Sequence, residues 1–284
     1  AVVYGLVTIQ SKRDGKLSVK QVTLISSSPD NPFLQLVGSG LTDPVQAMVL
    51  PESKVVDKPF SLKKNLGRGL WFDGRFLLAN DGKGLLLSMQ LDADNRLRVL
   101  GSLRVPGSIR QFAKVGDRAL VNLGRDGFWL VGLAEPASPV LKDKIPGPSI
   151  SVKIIRDLPV AGQRVYSVAR NHQVLMIDLA VDDPVLKTFD IESSPWRVAL
   201  QGNRLVTGSL DGVVELFDLD ENGRPHAVGR LEFDSGIRGL QLSETALFVA
   251  TGNSELHLYD TISWPLPQRS SVLSSGGQII DVKF

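Results

Sequence analysis

Short runs of Val, Ile, Leu and aromatic residues, cut by Asp-Gly, Gly-Asn and Pro-bearing turns, make up almost the whole chain. None of them carries the 3.6-residue periodicity of an amphipathic helix. Their β-branched and aromatic content predicts strands. The first three strands fall at 2–9, 17–25 and 33–37, with Asp14-Gly15 as the turn between the first two. Residues 40–66 break the pattern. A strand is predicted at 45–50, and 51–64, with Pro51, Pro59 and several lysines, reads as an exposed excursion.

From Gly67 one unit recurs five times. Each copy opens on a strand whose start carries an arginine: Arg68, Arg110, Arg156, Arg197 and Arg238, spaced about 41–46 residues apart. A second strand, a small polar turn, a third strand and a fourth follow. The turns are Asp81-Gly82, Asp126-Gly127, Asn171, Asp211-Gly212 and Gly252-Asn253. The chain ends on 278–284, which matches the first strand of another copy, and begins on what matches a second strand. Joined, the two ends complete one unit from 278–284, 2–9, 17–25 and 33–37.

This spacing predicts an all-β fold: a closed β-propeller of four-stranded antiparallel blades in a single domain, 1–284. The ring closes where 278–284 joins the N-terminal blade, which removes free sheet edges. The blade count is six, with 40–66 as an irregular insertion or long inter-blade loop. It becomes seven if 45–50 nucleates a degenerate blade.

Three segments carry a family resemblance. They are Asp126-Gly127-Phe128-Trp129-Leu130-Val131 with Pro136 and Pro139-Val140-Leu141, 212–218 followed by Pro225-His226-Ala227-Val228-Gly229, and 17–25 followed by Pro29 and Asn31-Pro32-Phe33-Leu34-Gln35-Leu36-Val37-Gly38. Each reads as a strand, a Pro-bounded loop and another strand, and resembles the LVIVD-repeat family of WD40-like bacterial propellers. The strand Leu175-Met176-Ile177-Asp178 and the loop 146–153 depart from that pattern. The resemblance implies a propeller on an exported or cell-surface bacterial protein, in the periplasm or outside the cell, with no assigned activity.

Charge narrows the partners. Lys and Arg total 32 against 30 Asp and Glu, without the basic excess that nucleic-acid binding requires. No apolar run reaches the ~18 residues that mark a membrane-spanning helix. The chain has no cysteine, which removes disulfides, thiolate metal sites and cysteine nucleophiles from consideration. It opens directly on strand-like sequence without an initiating Met, the expectation being a piece of a longer product.

The candidate chemistry centres on the arginines. In a propeller, first strands line the central channel, so Arg68, Arg110, Arg156, Arg197 and Arg238 are expected around one mouth, with Ile280 at the equivalent place in the closing blade. Such a ring suits carboxylate or phosphate. Alternatively each arginine pairs with a turn residue (Asp81, Asp126, Asn171, Asp211 or Asn253) as a structural staple.

Other candidates are weaker. His172, His226 and His257 occupy unlike places in three repeats and read as surface or loop residues. No nucleophile elbow is present. The sequences at 92–95 and 218–223 look superficially like calcium loops but lack the full pattern. Trp71, Trp129, Trp196 and Trp264 suit packing between blades. Trp264, flanked by Pro265-Leu266-Pro267, is expected to be exposed and is a candidate partner contact.

The expectation is a non-catalytic protein-interaction or scaffold module. Its partners would be other proteins or other domains of the same polypeptide, with no cofactor and no metal. An anion-binding propeller using the arginine ring is the first alternative. A propeller hydrolase or lactonase-like enzyme is the second; arginine at the inner-strand position, with Asp157 and Asp281 the only nearby acids, weighs against it.

Overall fold

The computed structural model describes residues 2–13, 16–26, 34–37, 70–72, 76–81, 83–91, 97–146, 157–274 and 278–283. Within them the chain is all-β: six four-stranded antiparallel sheets and a single 3₁₀ turn, Gly124–Asp126. The strand expected at 45–50, the excursion 51–64, Arg68, Arg156 and the turn at 92–95 lie outside the described residues.

The chain falls into two compact units, Ala1–Leu50 with Ile191–Phe284, and Pro51–Asp190. The first unit holds three sheets. One runs Gln278–Lys283, Val2–Arg13, Lys16–Ser26 and Leu34–Val37, so the last strand of the chain pairs with the first, Val7 opposite Val282. The second runs Pro195–Gln201, Arg204–Ser209, Val213–Leu219 and Pro225–Glu232. The third runs Ile237–Leu242, Ala246–Thr251, Glu255–Asp260 and Gln268–Ser274. Their first strands neighbour one another in that order of sequence.

The second unit holds the other three sheets. These run Leu70–Phe72, Phe76–Asn80, Leu85–Leu91 and Leu97–Arg104; Gln111–Val115, Arg118–Asn122, Phe128–Gly132 and Val140–Lys144; and Val160–Ala161, Arg164–Ala169, Gln173–Asp178 and Leu186–Asp190.

Turn chemistry fixes the register. Val115 pairs with Arg118, Ala161 with Arg164 and Gln201 with Arg204, leaving two-residue loops that begin with Gly116, Gly162 and Gly202. These glycines sit at φ 56°, 59° and 61°. Glycine at the first central position is the type II′ hairpin, whose twist matches that of its strands. The next turn in each sheet ends on a left-handed residue: Gly212 at φ 86°, but His172 at 63° and Ser254 at 70°. The expected Gly252-Asn253 turn is present, closed by Ser254 N donating to Thr251 O at 3.3 Å. Gly252 also serves close packing, since a Cβ there would come within 2.7 Å of Ser235 Oγ.

Where burial is described, second and third strands are buried and carry the core. In the first unit Val206, Val214, Leu216, Ile237, Leu247 and Val249 form one cluster, with Phe233 and Trp264 packed on it. In the second, Leu120, Phe128, Leu130, Leu175 and Ile177 form one cluster, and Leu78, Leu86, Phe112 and Val121 another. Each such side chain, fully buried, contributes about 1.5–3 kcal/mol.

Candidate functional site

The pairs that open the second strands give a common ruler: Phe76 with Gln90, Arg118 with Gly132, Arg164 with Asp178, Arg204 with Asp218 and Ala246 with Asp260. By that ruler Arg118 and Arg204 occupy the same position, and both reach forward to the next sheet of their own unit. Arg118 donates to Leu179 O at 3.2 Å and Val181 O at 2.8 Å and meets Asp182 at 3.6 Å. Arg204 donates to Glu244 O at 3.4 Å and Thr261 O at 3.3 Å, with its guanidinium 5.3 Å from the Trp264 ring centroid. Leu179 and Thr261 are equivalent residues, so one arginine device recurs. Arg164, at the same position, pairs instead with Asp178 at 3.1 Å. The visible signal was Gly-x-Arg at 116–118, 162–164 and 202–204.

A second device lies at the outer strands. A Cβ on Gly101 would come within 2.3 Å of Ala137 O, and one on Gly229 within 2.9 Å of Pro265 O. Gly101 pairs with Ser88 and Gly229 with Leu216, again equivalent places, each beside a register shift. In both units, therefore, a glycine notch in an outer strand receives the loop of the following sheet. Ser88 Oγ also donates to Pro136 O in the first of these loops.

These contacts settle the placement of Trp264. Its indole is half-buried on the core cluster and donates to Asp218 Oδ1 at 2.8 Å. The expected exposure of Trp264 is thus corrected, because Asp218, Arg204 and Gly229 together hold the loop down. Its neighbours Ile262 and Leu266 are the exposed side chains, each at 74%.

The described arginines of the expected ring are Arg110, Arg197 and Arg238. Arg197 Nε donates to Arg238 O at 2.5 Å. Arg238 is half-buried, its Nε is buried without a hydrogen-bond partner, and no described carboxylate pairs with it. Arg110 is exposed and lies against Gly124, while Asp126 lies against Gly107. At Arg110 and Arg238 no ion pair with a described turn acid is made. Turn residues are spent locally: Asn253 on Thr251 and Glu255, Asn171 on Gln173, and Asp81 on the amides of Lys83 and Leu85. Short side chains reach their own turn with less lost freedom than a distant guanidinium.

The histidines divide. His172 and His226 are exposed, and His226 Nε2 meets Asp220 Oδ2 at 3.1 Å. Asp220 Oδ1 also accepts the amides of Asn222 and Arg224, both at 2.9 Å, so this calcium-like turn is satisfied by its own backbone. The Arg224 amide first, then His226, holds the Asp220 carboxyl below its ordinary pKa.

His257 is not a surface residue. Its side chain is 8% exposed and packs edge-on to Phe233, ring centroids 4.9 Å apart. The ruler explains why this is unusual. The equivalent residues are Leu87, Trp129 and Leu175 in the second unit, but Glu215 and His257 in the first. Glu215 is satisfied by the amide and hydroxyl of Ser193. His257 Nε2 meets Glu255 Oε2 at 3.1 Å, and its Nδ1 is buried without a partner. Burial lowers the His257 pKa, Glu255 opposes this in part, and Arg269 reinforces it. Burial likewise raises that of Tyr259.

No protein-family model matches the chain, and no curated protein matches it. Solved structures do. A protein from Lactobacillus plantarum is 14% identical with a TM-score of 0.61, over 96% of this chain and 83% of that one. The β-propeller domain of Myceliophteria thermophila Cps50 (Swd1) is 12% identical with a TM-score of 0.59, over 74% of this chain and 73% of that one. The computationally designed Ika8 protein is 12% identical with a TM-score of 0.60, over 76% of this chain; the match spans 64% of the designed protein's length. At such identities the likeness is one of fold alone, and that fold is of the β-propeller kind.

Proposed function

We propose, from that propeller-type fold, that the chain is a non-catalytic interaction module. In this reading it is a six-bladed ring, closed where Gln278–Lys283 completes the N-terminal sheet, which docks a partner protein through loop 261–267. One observation carries the reading. Ile262 and Leu266 are each 74% exposed on a loop whose central Trp264 is bonded to Asp218 and stacked under Arg204. Two apolar side chains presented from a pinned loop have little conformational entropy left to lose on binding, which favours an anchor role. The partner would offer an apolar cleft. Photo-crosslinking residues at 262 and 266, in cells that make the protein, test this. Discrete adducts at both positions, absent from a control at Val140 and lost on Trp264→Ala, support it. Adducts of equal yield at all three positions, or none, overturn it. Kinship with the LVIVD-repeat propellers and an exported, cell-surface setting belong to the same proposal, and fractionation of the producing cells tests the latter.

A second reading is favoured by Arg238, whose guanidinium lacks an ion partner among the described residues. Here the arginine mouth takes an anionic group. Citrate titrated against wild type and Arg238→Ala distinguishes this reading, which fails if the two respond alike.

A further inference from the structure

The outer strand of each sheet has one edge that pairs with no other described strand. Such an edge presents free backbone N–H and C=O groups, and natural proteins blunt it with charge, proline or short length. Four outer strands follow that rule with charged residues: Leu97–Arg104, Val140–Lys144, Leu186–Asp190 and Pro225–Glu232, the last also opening on proline. Leu34–Val37 is only four residues long. Gln268–Ser274 departs from the rule. From Ser270 to its end it carries neither charge nor proline, and Val272 is 41% exposed.

The register shows which groups that edge offers. Thr261 N donates to Thr245 O, so in the same row Leu247–Tyr259 and Val249–His257 exchange backbone bonds between the second and third strands. Leu256 and Leu258 therefore turn their peptide groups to the outer strand, where they face Leu273 and Ser271. By the same alternation Val272 and Ser274 turn N–H and C=O away from the sheet. Both residues are exposed, as is Ser270, the extra residue at the register shift.

An antiparallel strand completes such an edge, and the edge's own sequence specifies which. Ser270, Val272 and Ser274 read the same in either direction. A two-fold axis through Val272 sets each Val272 opposite its copy and each Ser274 opposite the second copy's Ser270. In self-pairing a charge near the axis meets its like, which is destabilising, and this strand has none there. Its one charged residue is Arg269. The two copies of Arg269 stand about 20 Å apart along the ladder, beyond the screening length at physiological salt.

We propose that Gln268–Ser274 pairs with the same strand of a second copy of this chain, antiparallel about a two-fold axis at Val272. The contact is isologous: Val272 packs on Val272, and the outward peptide groups of each copy satisfy those of the other. It does not depend on the docking role of loop 261–267. Edge pairing alone covers less area than a standard interface, so the dimer is reversible and concentration-dependent.

The chain has no cysteine, so a single introduced one reads the axis. Paired across it, the two copies of residue 272 have Cα atoms about 5.5 Å apart, within disulfide reach. Under mild oxidation Val272→Cys is expected to form a covalent dimer. Val99→Cys and Val140→Cys, on charged outer strands and exposed at 46% and 51%, are expected to stay monomeric. Sedimentation velocity is expected to show a reversible dimer of wild type by about 500 µM. Val272→Lys and Ser274→Lys, both exposed changes, are expected to weaken it at least about tenfold with the melting transition retained. The proposal is overturned if wild type stays monomeric at about 500 µM. It is also overturned if either lysine variant dimerises as wild type does, or if Val272→Cys crosslinks no better than the two control cysteines.

Discussion

The guanidinium of Arg204 lies over the indole of Trp264, 5.3 Å from its ring centroid, while the same indole donates to Asp218 Oδ1 at 2.8 Å. One tryptophan thus ties the second and third strands of one sheet to the loop of the next. A partly desolvated cation–π contact and two long hydrogen bonds are together worth about 1–2 kcal/mol. Arg204→Ala is expected to lower stability by that amount in chemical denaturation. It should also red-shift the fluorescence of Trp264, measured in a background where the other three tryptophans are Phe. Arg204→Lys recovers charge but not the planar stack, and should fall nearer to Ala than to wild type.

Ser254 and Gly212 stand at the same turn position, both left-handed, and predict opposite responses. Ser254 carries a Cβ at φ 70°. Ser254→Gly relieves that strain and is expected to stabilise by about 0.5–1 kcal/mol. Gly212→Ser introduces a Cβ 2.2 Å from Phe233 O and 3.2 Å from Ser235 O. Backbone cannot swing away as a side chain would, so this change should cost more than about 2 kcal/mol. Paired urea melts of the two variants read the contrast.

Glu215 is expected to be indispensable only as long as Ser193 is present. Glu215→Leu returns the position to an apolar residue but leaves the Ser193 amide and hydroxyl, both buried, without their acceptor. The expected loss is about 2–3 kcal/mol. Adding Ser193→Ala removes one orphaned donor and should recover about 1 kcal/mol. A double-mutant cycle gives the coupling directly.

His257 predicts the acid limb of the stability curve. Burial lowers its pKa below the ordinary 6.5, so the folded protein holds it neutral. Above about pH 6.5 both folded and unfolded states are neutral there, and the residue contributes no pH dependence. As pH falls through 6.5 the unfolded chain takes the proton first and stability drops. The slope ends once the folded pKa is reached. Glu255 and Arg269 face the same ring with opposite effects, so the difference between wild type and His257→Leu isolates the histidine. That difference should open between pH 7.5 and 5 and be absent above 7.5.

Most of the strand pattern was legible because turn residues punctuate it. Asp-Gly and Gly-x-Arg mark hairpins whose register then follows from alternation. The pairing of the last strand with the first was legible as a missing partner at each end. The fastening role of the arginines was not. Gly-x-Arg marks Arg118 and Arg204 in the sequence, but their acceptors, Leu179 O and Thr261 O, emerge only from the register. Trp264 misled for a related reason. A Pro-flanked aromatic reads as exposed, yet its acceptor, Asp218, lies 46 residues earlier. His257 reads as a surface or loop residue because the three histidines fall at unlike places in three repeats. Its burial follows from sharing a face with Tyr259, against Val249.

The proposed docking role of loop 261–267 is read by quantitative capture of the crosslinked partner on wild type, Ile262→Asp/Leu266→Asp and Arg204→Ala, each immobilised at equal density. That role requires capture reduced more than tenfold by the double aspartate variant at unchanged melting temperature. It predicts an intermediate loss for Arg204→Ala, whose loop keeps its side chains but loses its support. Full capture by Ile262→Asp/Leu266→Asp would contradict it.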